Sequence, residues 1–85
     1  MITITGRIVV EQDGATTTVV EATLPDGGKL GVDSLTFAEH GGKPAAVRNL
    51  AERLSCEPEV ETGIGGLKQV IDSAWNQPGQ GFTAS

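Results

Sequence analysis

Residues 2–24 read ITITGRIVVEQDGATTTVVEATL, and the alternation on either side of Asp13-Gly14 decides the fold class. Ile2, Ile4, Ile8 and Val10 fall in one phase of a period-2 pattern, with Thr3, Thr5, Arg7, Val9 and Glu11 in the other, the signature of a strand with one buried face. Gly6 occupies the apolar phase, where a missing side chain marks a bulge or the close approach of another group. Asp13-Gly14 supplies a positive-φ turn. Beyond it Thr16 to Leu24 resumes with β-branched residues and places Thr18, Val20, Ala22 and Leu24 on one face. The stretch is therefore a β-hairpin. On its outer face Val9 and Val19 interrupt a surface of Thr, Arg and Glu. In the simplest register they are cross-strand neighbours, an apolar spot suited to a dimer or another protein.

Outward from the hairpin, Pro25-Asp26-Gly27-Gly28 is a second turn, with Pro setting φ and the glycines left-handed. A third strand follows from Lys29 to about Phe37. Leu30 and Val32 are out of phase with Leu35 and Phe37, which requires a bulge or a strand end near Asp33-Ser34. Thr36 to Glu39 also has capping-box spacing, and reads alternatively as one helical turn stopped by Gly41-Gly42. Two helices come next. In the first, Pro44 suits the opening turn and Val47, Leu50, Ala51 and Leu54 repeat at helical spacing. The second runs from Gly63–Gly66 to Asn76 with Ile64, Leu67, Val70, Ile71, Ala74 and Trp75 as its apolar stripe, and Thr62 as its expected N-cap. Between them Pro58 forces Glu57 out of the helical region, and Val60 is the candidate for a short fourth strand. The pattern predicts an α+β fold, a three-stranded antiparallel β-meander with that short fourth strand, packed on one face by two helices. Residues 1–76 form one domain and 77–85 a flexible tail.

Composition narrows the function. With 11 acidic and 6 basic residues the net charge is −5, which repels phosphate backbones and favours a basic protein surface as partner. One cysteine, Cys56, suits a reducing, cytoplasmic setting, and no apolar run reaches the ~20 residues that span a bilayer. His40, the single histidine, has no adjacent nucleophile or orienting group, and a lone Cys is ordinarily a small buried hydrophobe. No catalytic set, cofactor or metal ligand group is expected.

Three places remain where function could reside. Glu57, Glu59 and Glu61 alternate, so an extended backbone would project all three carboxylates from one face as a docking strip for a basic partner. Val9 and Val19 could hold a partner or a second copy. Thr62-Gly63-Ile64-Gly65-Gly66 opens a helix, where glycines let backbone amides converge on an anion, though the spacing matches neither a P-loop nor a dinucleotide fingerprint. The expectation is a small acidic, non-enzymatic protein-binding module, such as an accessory or inhibitory protein of a phage or mobile element acting on a basic protein surface. Its alternative is a small-ligand or anion-binding protein using Thr62, Gly63, Gly65 and Gly66.

Overall fold

In the computed structural model, which describes residues 1–85, the hairpin is the longest feature: β1 is Ile2–Val10 and β2 Thr16–Thr23, joined by a turn closed by Glu11 and Ala15. Gly14 takes φ +87° and the Asp13 carboxylate accepts from the Ala15 amide at 2.9 Å, so the two residues that signalled the turn also build it. In the second turn only Gly27 is left-handed, at φ +89°. The meander continues into β3, Lys29–Asp33, which ends at the Asp33-Ser34 break. Asp33 accepts from the Thr36 amide at 2.6 Å and the Thr36 hydroxyl at 2.8 Å, and this turn takes the chain off the sheet. Thr36 is thereby committed to Asp33, and the helical turn that follows, Ala38–His40, has no side-chain cap before Gly41 stops it at φ +108°.

Helix α1 is Lys43–Ser55 and helix α2 Ile64–Asn76. Thr62 is not the N-cap of α2. Gly63 is, because the Thr62 hydroxyl and amide both donate to the Ser85 carbonyl oxygen. That link belongs to the clearest departure from expectation. Residues 77–85 do not form a loose tail: Gly81–Ala84 is strand β4, antiparallel to β1, with Ile2 opposite Ala84 and Ile4 opposite Phe82. The sheet order is β3-β2-β1-β4. The short fourth strand exists, but at 81–84 rather than at Val60, which follows a turn and packs half-buried on the core. Phe82 and Thr83 favour a strand, but four residues beside glycines are too short to signal one alone; the edge of β1 and the burial of Ala84 hold them.

Both helices cover one face of the sheet. Ile2, Ile4, Val20, Ala22 and Val32 point down onto Leu50, Leu54, Leu67, Ile71 and Ala74, all buried. Gly6 lies where α2 crosses β1. A Cβ there would overlap the Ala74 carbonyl oxygen, so only glycine lets the end of the helix sit against the strand. At the far edge, Arg53 of α1 donates to the Gly31 carbonyl of β3 at 2.8 Å.

Candidate functional site: the uncovered half of the hairpin

Beyond Gly6 the helices stop and the hairpin continues. Ile8 and Val10 lie on the same face as Ile2 and Ile4, yet they are 57% and 69% exposed. The long axis of the molecule reaches 40 Å against 24 and 20 Å across it. Neighbouring strands stop as well: β4 pairs only with Ile2–Thr5, and β3 only with Val19–Thr23. The far half is a two-stranded ribbon with open edges.

Hydrogen-bond phase identifies the unused backbone groups on β1. In an antiparallel pair alternate residues exchange both bonds with their partners, while those between point theirs outward. Glu11 donates to Ala15 across the hairpin, whereas the Gly6 carbonyl faces the other way and accepts from Gly79 at 2.7 Å. Ile8 and Val10 share the phase of Gly6, so their amides and carbonyls face outward along an edge that no strand covers. Apolar side chains and unpaired backbone coincide on the same two residues.

The outer-face spot does not have the expected form. Val9 stands opposite Thr17 and Val19 opposite Arg7, so the two valines are diagonal neighbours, not a cross-strand pair. Both are half-buried and Thr17 is buried, so the larger exposed apolar surface lies on the helix-bearing face. The acidic connector is not a strip either. Val60 donates to the Glu57 carbonyl at 3.1 Å, closing a turn in place of the extended backbone that would align Glu57, Glu59 and Glu61. Glu59 and Glu61 are exposed and Glu57 is half-buried.

At the glycine-rich helix start, Gly66 answers a packing demand: a Cβ would come within 2.8 Å of the Thr62 methyl carbon. Gly65 and Gly63 face open space. Cationic side chains gather elsewhere. A groove of about 570 Å³ between α1 and α2 is lined by Lys43, Arg48 and Lys68 together with Pro44, Val47 and Asp72. Lys43 is held by Asp72 at 2.8 Å and Asn76 at 2.9 Å, with its ammonium 5.8 Å from the Trp75 ring centre. Arg48 and Lys68 have no ion-pair partner.

His40 precedes α1 and Cys56 follows it, both exposed, so about 20 Å of helix separates them and they form no pair. Cys56 is not a buried hydrophobe; its thiol caps α1 by donating to the Glu52 carbonyl at 3.4 Å. No cluster of His, Cys, Asp or Glu is placed to hold a metal ion, and no helix is long and apolar enough to cross a membrane.

Periodicity places Ile8 and Val10 on the core face, because it gives the face of a strand and not how far its cover extends. Length held the signal. A nine-residue strand spans about 30 Å and a 13-residue helix about 20 Å, which leaves part of the strand bare.

Compared with protein-family models, with curated proteins and with solved structures, the chain matches none.

Proposed function

We propose that the chain is a non-enzymatic protein-binding module whose contact surface is the far half of the β1–β2 hairpin. The observation that carries this reading is the exposure of Ile8 and Val10 on the core-side face of a strand whose outward backbone is unpaired. An apolar face combined with an open edge is the pattern that captures an extended segment by strand addition, in which the backbone supplies affinity and side-chain contacts supply specificity. Glu11 and Asp13, exposed at the hairpin end, rim the surface with negative charge and favour a basic partner.

The test is affinity capture from the native host with three proteins side by side. Wild type is expected to retain a protein that the Ile8→Thr/Val10→Thr double variant loses, while reversing Glu57, Glu59 and Glu61 to Lys leaves retention unchanged. Retention by the hairpin variant overturns the assignment, and loss in the glutamate variant moves the site to the connector. Threonine preserves strand propensity, so circular dichroism should show the fold intact.

A second reading rests on the groove between the helices. Arg48 and Lys68, unpaired in a chain of net charge −5, favour a small organic or inorganic anion there rather than at Gly63–Gly66. Titration with phosphate and with citrate should shift the amide signals of residues 43–48 and 68–72. Shifts confined to residues 62–66 would return the anion to the glycine-rich start.

A further inference from the structure

We propose that the open edge of β1 receives a second copy of the same edge, antiparallel and centred on Val9, joining two sheets into one across a two-fold axis. The inference rests on the reading of the hairpin as a protein-binding surface and names its first occupant.

The argument begins with the length of free edge. It is bounded on one side by Gly6, whose carbonyl is taken by Gly79, and on the other by Glu11, where the hairpin turn begins. A two-fold axis through Val9 sets Val9 against its own copy, Ile8 against Val10 of the other chain, and Arg7 against Glu11 of the other chain. Each residue meets a suitable partner. The Ile8–Val10 pairs are those with outward backbone groups, so they form the hydrogen-bonded positions of the new ladder, and Val9 and Arg7–Glu11 the closer, non-bonded ones. The turn at Gln12–Gly14 carries each chain towards its own β2, away from the other copy's Gly79.

Charge complementarity selects this register. Arg7 and Glu11 are exposed and neither has an ion-pair partner within the chain, whose two ion pairs are Lys29–Glu21 and Lys43–Asp72. Sliding one strand by one residue past the other sets outward-facing backbone groups against inward-facing ones, and sliding it by two, which moves the axis to Ile8 or Val10, separates Arg7 from Glu11. On the helix-bearing face the Val9-centred register brings Ile8 and Val10 of both copies together, so four apolar side chains replace two. The interface is isologous and closed by its own symmetry.

Sedimentation of the purified chain over micromolar to millimolar concentration tests the proposal. The expected result is a monomer–dimer equilibrium that Arg7→Glu and Glu11→Arg each weaken by about tenfold, since every charge pair occurs twice and is turned into a repulsion. The double swap R7E/E11R should restore the dimer, because it regenerates both pairs. Val10→Pro removes an outward-facing amide at an edge position that tolerates proline, and should abolish the dimer while circular dichroism stays unchanged. A chain that is monomeric throughout, or a dimer indifferent to the swap and to V10P, overturns the proposal. If such a monomer still captures its partner through Ile8 and Val10, the dimer falls and the binding surface stands. If the dimer obeys the swap while I8T/V10T leaves partner capture intact, the dimer stands and the binding surface falls.

Discussion

The two halves of β1 have the same alternation but opposite surroundings. Ile2 and Ile4 are buried under α2 and flanked by β2 and β4, whereas Ile8 and Val10, in the same phase, meet solvent and pair only with β2. The difference arises at Gly6, against which the end of α2 packs, and at Asp33, where β3 ends opposite Val19. An apolar phase is therefore a statement about direction. Burial is a statement about what other elements are long enough to reach, and where those run out, a core pattern is left facing solvent.

The comparison is measured most directly by removing the same side chain from each half. Ile4→Ala should cost about 2–5 kcal/mol of unfolding free energy, as for a fully buried aliphatic, and Ile8→Ala less than about 1 kcal/mol. Urea titration of both variants gives the difference, and equal costs would mean that the far half is covered in solution. Next in size is the boundary itself. Gly6→Ala drives a methyl group into the Ala74 carbonyl and should cost about 1–3 kcal/mol, the range for forcing extra volume into a packed site. Amide signals at the end of α2 should shift more than those of Ile8 and Val10. If the far hairpin moves instead, Gly6 is not the divide.

How much of this was legible in the residues follows from the range of the forces. Asp13-Gly14 and the alternation around it are local, so the hairpin and its phase are written within a few residues of one another. The start of α1 at Lys43-Pro44 and the stripe Val47, Leu50, Ala51, Leu54 are local too. Strand β4 is not: Phe82 and Ala84 acquire a strand only by meeting Ile4 and Ile2, nearly the whole chain away. The candidate site divides in the same manner. Periodicity puts Val9 and Val19 on one face, but the register that sets them apart depends on a three-residue loop, and the bare stretch at Ile8 and Val10 depends on where helices end. Glu57, Glu59 and Glu61 align only on an extended backbone, which the turn at Glu57–Val60 replaces.

The smallest expected effect lies at Asp33. Hydrogen bonds from the Thr36 amide, and then from its hydroxyl, hold the Asp33 carboxyl below its ordinary value of 3.8. A carboxyl depressed on folding contributes stability in full above its unfolded pKa and loses it as pH falls through the folded one. Wild type should therefore lose a small increment on acidification below about pH 4, under about 1 kcal/mol for so solvated a group, and Asp33→Asn should lack that increment. Thermal melts from pH 5 down to pH 2 would detect it. If D33N and wild type fall in parallel, the turn that takes the chain off the sheet after β3 does not depend on this charge.

The Arg53–Gly31 hydrogen bond has a consequence for how many chains assemble. Strand addition at both margins of a sheet would propagate without limit, one molecule templating the next into a fibre. Here the guanidinium occupies an outward carbonyl at the middle of β3, so that margin offers no continuous row of acceptors. In the proposed dimer each β1 edge is filled by the other copy, and the interrupted β3 margin is a poor template for a further chain. If the chain pairs as proposed, an arginine far from the hairpin works against growth of that pair into a fibre.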